Sequence, residues 1–271
     1  AFAVQARELT QSQTQLQNQI ERFGDHVFKH GTMVIPGNIG LDIEYYAVKL
    51  TSIASANTLA QFTTGTIITG GTSGVVAEIV GTDALSGSDP DTLYVKYNKT
   101  GSNNTSFVFS DSETITGTNS DSVSLSAVVN TTATGSAATV KQGVYYINGF
   151  FVQCDDATLV LDKYTNSPSY RIGFTITESF VTSNDDASLN DNATGSSNVN
   201  APGAHRFKIL LTLAKKTLSS TEDSTFVELM RVENGTIKAE ARSTEYSVLG
   251  DTLARRTFDE SGDYVLTNPE F

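Results

Sequence analysis

Tryptophan is absent from this chain, cysteine occurs once, and there are five prolines in 271 residues. With Cys154 alone, no disulfide can close within the chain and one copy cannot build a thiolate zinc site. Stability must therefore come from packing and from assembly. No apolar run approaches the ~20 residues that a membrane helix needs, so no membrane span is expected. The first residue is not Met, and no positively charged leader precedes an apolar core, so no signal peptide is visible. Basic charge is scarce as well: 18 Lys and Arg stand against 30 Asp and Glu, a net charge of −12 and a pI near 4.6. Nothing offers a phosphate-tracking basic stripe, which argues against nucleic acid as a partner. Lys215-Lys216 and Arg255-Arg256 are short pairs in acidic surroundings and read as surface ion pairs.

Catalytic motifs are missing too. Gly70-Gly71-Thr72-Ser73-Gly74 has the look of a phosphate loop, but no Gly-Lys-Ser/Thr follows and no βαβ unit surrounds it, so it reads as a β-turn. There is no Gly-x-Ser-x-Gly elbow, and the chain has three histidines. His26 and His30 are four apart, as zinc pairs on a helix are, yet Val27 stands where a metalloprotease has Glu. Asp185, Asp186, Asn190, Asp191 and Asn192 form an oxygen-rich loop without EF-hand spacing or a closing Glu, so a solvated loop with Asx turns is expected. His205 and Arg206 follow a rigid Pro-Gly turn and carry no active-site pattern. No enzyme and no cofactor is expected.

The first 36 residues are the most informative part. Phe2, Ala6, Leu9, Gln13, Leu16, Ile20, Phe23 and Val27 recur at alternating spacings of four and three. That is a coiled-coil seam over about four heptads, with Phe2, Leu9, Leu16 and Phe23 at d and the others at a. The pattern predicts a long N-terminal helix closed by Gly31. Two readings stay open: a helix packed on its own domain, or one that self-associates or docks in a larger assembly. In the second reading Phe2, Leu9, Leu16, Ile20 and Phe23 are the interface residues.

Thr32–Ile35 and Leu41–Leu50 read as strands. From about 53 to 140, Gly, Thr, Ser and Asp rise and the strands become short: 65–70, 74–81, 92–97, 106–109, 113–117 and 122–129. Turn residues at intervals of about ten predict a small antiparallel barrel or sandwich. Afterwards Val144–Ile147 and Phe150–Cys154 form a hairpin around Asn148-Gly149, the strongest two-residue turn signal in the chain. Strands are expected at 157–161, 170–177 and, buried, at 207–213. A second hairpin is expected from 226–232 and 236–241 around Glu233-Asn234-Gly235, and a helix from Ser243 to about Glu260. The expected fold class is α+β: a long N-terminal helix and a mixed β-rich body, interrupted by an inserted all-β module. The corresponding domains are 1–52, 53–140 and 141–271.

Several strings carry a family resemblance. FAVQARELTQ and LQNQIERFGDHVFKHGTMVIPG near the start, YYINGFFV at 145–152, LDKYTNSPSYRIGFTI at 161–176, DDASLNDNATGSSNVNAPGAHRFKI at 185–209 and LARRTFDESGDY at 253–264 resemble a family of large virion proteins of tailed bacteriophages, of uncharacterised function, that occurs in T4-like cyanophages. TTGTIITGGTSGVVAEIV, LYVKY and SETITG resemble a small β-module found inserted in phage structural proteins. The resemblance implies a structural component of the virion, in the tail or baseplate, whose partners are copies of itself and other tail or baseplate proteins. It also implies a chain that continues in a longer protein, and it supplies no catalytic residues. The alternative is a receptor- or carbohydrate-binding module acting on a host glycan through the inserted β-domain. The lack of Trp leaves Tyr94 and Tyr97 as its aromatic platforms.

Overall fold

A computed structural model describes residues 5–191, 198–221, 223–241 and 246–262. After helix α1 (Ala6–Asp25) the chain forms β1 (Met33–Ile35), β2 (Ile39–Ile53), β3 (Ile67–Gly70), β4 (Val76–Asp83), β5 (Thr92–Lys99), β6 (Thr114–Thr118) and β7 (Ser124–Val140). Strands β2, β5, β4, β3 and β6 follow one another by antiparallel pairing, and β7 pairs with both β2 and β6. The sheet therefore closes on itself as a six-stranded barrel, which removes its free edges. Its interior follows the period of two that a pleated strand imposes: Ala77 and Ile79 on β4, Leu93 and Val95 on β5, Leu125, Ala127 and Val129 on β7. The expected strand at 106–109 does not form. Those residues are a loop that delivers Phe109 to the barrel interior, where it is buried.

The rest of the chain builds a second core. It comprises β8 (Gly143–Ile147), β9 (Phe150–Cys154), β10 (Ala157–Asp162), β11 (Tyr170–Val181), β12 (Asn190–Asp191), β13 (Asn198–Pro202), β14 (Arg206–Thr217), β15 (Phe226–Glu233), β16 (Thr236–Glu240) and helix α2 (Ser247–Ser261). One sheet has the order β1-β8-β9, another β14-β11-β15-β16, and β12-β13 is a short ribbon. Tyr145, Ile147, Leu161, Ile172, Phe174, Leu229 and Val232 fill the space between these sheets and the far ends of β2 and β7. The hairpin turns take the conformation that Asn-Gly supplies, with φ of 48° and 83° at Asn148-Gly149 and 49° and 73° at Asn234-Gly235.

The α+β expectation is overturned. The described residues are mostly β-sheet, 49% strand against 16% helix, and the buried residues of both hydrophobic cores lie on strands and loops. Nor is the N-terminal helix as long as its seam: α1 ends at Asp25, two residues short of Val27. Tyr146 packs against the helix at Gly24, and beyond the helix end Phe28 enters an aromatic cluster.

Two long strands join the cores. At the Ile39 end of β2, Ile39 and Leu41 face the second core; at its Ile53 end, Val48 and Leu50 face the barrel. Asp42 pairs with Ala137 and Tyr45 with Gly135, so β2 carries one residue more than β7 over this stretch. Such a bulge moves the inward set from odd to even positions, so the apolar side stays on one face of the sheet as the strand passes between cores. β7 does the same in reverse, giving Leu125 and Ala127 to the barrel and Ala138 and Val140 to the second core. The barrel thus draws strand residues from before position 53, and the second core draws residues from before position 140.

A polar node pins the same junction. Lys163 Nζ lies 2.6 Å from Asp83 and 3.0 Å from Asp89, and the Tyr164 hydroxyl donates to Asp89. The Tyr164 hydroxyl and the Lys163 ammonium hold the Asp89 carboxyl below the usual range. Asp83 and Asp89 raise Lys163 in turn.

Burial pushes the hydroxyls of Tyr94, Tyr97 and Tyr145 well above the ordinary tyrosine value. An unfolded tyrosine ionises near pH ~10. Above that pH the folded state holds more protons than the unfolded one, so stability falls as pH rises. In an alkaline titration the exposed tyrosines should ionise first. The buried set should then ionise in the same step that abolishes the β-sheet circular dichroism. Because the chain has no Trp, tyrosinate absorbance reads this directly. Smooth ionisation of every tyrosine before the fold melts would contradict the packing described here.

Candidate assembly surface

α1 is mounted on the body by its polar side. Gln17 Nε2 donates to the Gly149 carbonyl at 3.0 Å, and Glu21 lies over the Gly149 turn. The Tyr146 hydroxyl donates to Asp25 Oδ1 at 2.8 Å and lies 3.0 Å from the Glu21 carbonyl. Gly24 permits this approach: a Cβ there would sit 2.6 Å from Tyr146 Cζ. Phe28 continues the contact among Tyr146, Phe151 and Tyr246, with ring centroids 5.8, 6.0 and 5.7 Å away.

Five of the eight residues that the seam pattern singled out, Leu9, Gln13, Leu16, Ile20 and Phe23, point elsewhere. Leu9 is 61% exposed, Leu16 60%, Ile20 38% and Phe23 69%, and Gln13 is exposed beside them. These four apolar side chains line one stripe because their spacings are seven, four and three. Phe2, the fifth expected interface residue, lies outside the described residues. Residues 7–16 are all exposed, and no charged side chain occurs from Leu9 to Ile20. A helical stretch without ion pairs or core contacts is marginal in water by itself. Among the described residues, no other part of the chain covers the stripe.

More apolar surface lies around the helix mount. Phe150, Phe207 and Phe180 form a chain of rings with centroids 5.5 and 5.6 Å apart, and Phe180 is 67% exposed. β14 was expected to be a buried strand. It is instead the edge of its sheet, with Phe207 and Leu210 exposed and Leu213 buried. Edge position explains the difference, since only one side of β14 is paired and its outer end runs past the core. α2 begins at Ser247, four residues later than expected, and leaves Leu249, Leu253 and Phe258 exposed.

The candidate ligand residues have structural partners. His30 Nδ1 accepts from the Asn148 amide at 3.3 Å, and Nε2 meets the Ser224 carbonyl at 3.1 Å. His26 Nδ1 is 2.6 Å from the Arg22 carbonyl, within its own helix. Asp185 accepts from the Thr182 amide and hydroxyl, and Asp186 from the Ser188 amide as the cap of a short turn at Ala187–Leu189. Asn192 lies outside the described residues. Among the described residues no group of three or more His, Cys, Asp or Glu is placed to hold a metal, and no helix is long and apolar enough to cross a membrane. Cys154 is buried. Sequence reasoning missed Glu113, buried behind the 70–74 loop, and the grouping of Tyr45 and Tyr46 with Tyr97, the one nominated platform that lines the cleft where β2 leaves the barrel. No local pattern announces either.

The fold and surface define a mostly β protein of two cores joined by shared strands, with an external helix whose apolar stripe has no partner among the described residues. Residues 81–268 match the family model described as a domain of unknown function (DUF4815), and the chain belongs to that family. The match runs from the end of β4 through α2, so α1 precedes it. No curated protein and no solved structure matches the chain.

Proposed function

We propose that the protein is a non-enzymatic structural component of a tailed-phage virion, in the tail or baseplate, that assembles through α1. The observation carrying this reading is the stripe Leu9, Leu16, Ile20 and Phe23, held away from the body by a polar mount. Burying it against the same stripe of other copies removes apolar side chains from water and supplies the contacts that the uncharged stretch from Leu9 to Ile20 lacks. The strings that resemble phage virion proteins span both α1 and the second core, which supports the virion setting. In the assembled form the barrel stands at the far end of β2 and β7 from the helix mount, free for display.

Leu16→Ala tests the assembly. Leu16 touches no core in the single chain, so the substitution should leave the melting of the β-sheets unchanged. In a packed seam the same truncation costs about 2–5 kcal/mol in every copy. Sedimentation over a concentration series should show wild type associating and the variant shifted to monomer. Equal sedimentation of the two proteins would sink the assembly reading.

A further inference from the structure

β2 and β5 pair only from Tyr46↔Val95 to Lys49↔Thr92. Before Tyr46, β2 keeps β7 as its partner and moves off toward the second core, while β5 runs on to Lys99 beside β4. The divergence opens a cleft of about 350 Å³ on the barrel wall, at the lower end of ligand-pocket sizes (~300–1,000 Å³). Asp42, Glu44, Tyr45 and Tyr46 line one side of it, and Lys96 and Tyr97 the other.

The aromatic groups here are braced. Tyr46 and Tyr97 meet nearly at right angles, with centroids 5.0 Å apart. Tyr97 leans in turn on Phe109, whose amide donates to the Tyr97 hydroxyl at 3.4 Å. Tyr45 rests on Tyr94 at 5.1 Å. All three lining tyrosines are half-buried, whereas Tyr94 is buried and offers no platform. The bulge carries the acidic groups to the rim. Asp42 Oδ1 accepts from the Glu44 amide at 2.8 Å, which fixes the turn, and both side chains are exposed. Lys96 is exposed opposite them.

We infer that this cleft is a saccharide-binding subsite for one or two uncharged pyranose units. Rigid tyrosine faces pack against the apolar C–H face of a sugar ring at low entropic cost. The Asp42 and Glu44 carboxylates accept from its hydroxyls, and Lys96 donates to them. The two carboxylates disfavour an acidic sugar. Lys96 disfavours a quaternary ammonium, the other ligand that aromatic walls attract. The site lies on the barrel and uses no residue of the α1 stripe, so it stands or falls independently of the assembly reading.

The full chain should be examined by saturation-transfer difference NMR. The probes are trisaccharides of glucose, galactose, mannose and N-acetylglucosamine, with sialyllactose and choline as charged controls. At least one neutral trisaccharide should receive saturation from tyrosine protons. Glu44→Ala and Lys96→Ala change exposed side chains, so both should fold as wild type while binding that probe at least about tenfold more weakly. No binding by any neutral probe, binding by only the charged controls, or binding that both variants retain would overturn the assignment. Sedimentation of the two variants should match wild type, which separates this site from the α1 surface.

Discussion

Glu113→Ala should lower the stability of the protein by about 3–5 kcal/mol, read as a fall in the urea midpoint. Glu113 is 3% exposed, and its hydrogen-bond partners among the described residues are all neutral. Its carboxylate is kept in the interior by donors alone. Oε2 accepts from the amides of Thr72 at 3.0 Å and Ser73 at 2.9 Å. Oε1 accepts from the Ser73 hydroxyl at 2.8 Å and the Ser110 amide at 2.6 Å. Charge-assisted bonds of this kind are stronger than neutral ones and offset the desolvation of the carboxylate. The alanine variant strands the two Ser73 donors in a buried site and frees both the 70–74 loop and the 110–113 turn, which together close one end of the barrel. Glu113→Gln should recover less than half of the loss, because its amide group faces donors with another donor. A midpoint for Glu113→Ala equal to that of wild type would refute the account. The Gly-rich loop does cradle an anion with its amides, then, but the anion is the chain's own.

Gly173→Ala should be nearly as damaging. A Cβ at Gly173 would stand 2.8 Å from the Val227 carbonyl carbon and 2.9 Å from Glu228 Cα, and would press still closer on the Val227 oxygen. These are backbone atoms of β15, so no side chain can swing aside. The register between β11 and β15 slips at this point, with Ile172 opposite Met230 and Gly173 opposite Glu228. Ile172, Phe174, Leu229 and Met230 are buried on either side of it. Relief requires the two central strands of the second core to part, at a cost of about 3 kcal/mol or more. The melting temperature should drop by roughly 5–10 °C. Gly250→Ala is the control: nothing lies within 4 Å of that position on α2. Alanine there should be neutral or gain up to about 1 kcal/mol from helix propensity. Equal melting of the two variants would show that the strands are not packed as described.

Much of the local structure was legible. Asn148-Gly149 and Asn234-Gly235 announce their hairpins because both central residues must take positive φ, which Asn and Gly adopt most readily. The spaced Gly and Thr of 63–81, followed by LYVKY, mark short strands by their turns and alternation. The helix stripe was legible for the same reason, since Leu9, Leu16, Ile20 and Phe23 recur at helical spacing. The class was misjudged as α+β because periodicity identifies a helix without saying whether it enters a core. Here neither helix does. β14 was misjudged as buried because an apolar strand reads alike at the centre of a sheet and at its edge.

Other features lay beyond local reading because they join distant residues. β7 closes the barrel on β2, more than seventy positions earlier, and Arg171 bonds Glu228 across 57 positions. Lys163 reaches Asp83 and Asp89 from the far side of β7. Glu113 finds three of its four donors about forty residues earlier in the chain, at Thr72 and Ser73. Each depends on which strands become neighbours, and sequence spacing does not encode that. The sequence by itself determined the turns, the alternation within strands and the apolar stripe of α1, since all three follow from backbone sterics acting over a few residues. Tertiary structure alone decided that the barrel closes, that two bulged strands serve both cores, and that the stripe faces away from the body. Those outcomes are set by long-range strand pairing and by the close approach of Gly24 to Tyr146, which turns the polar side of the helix inward.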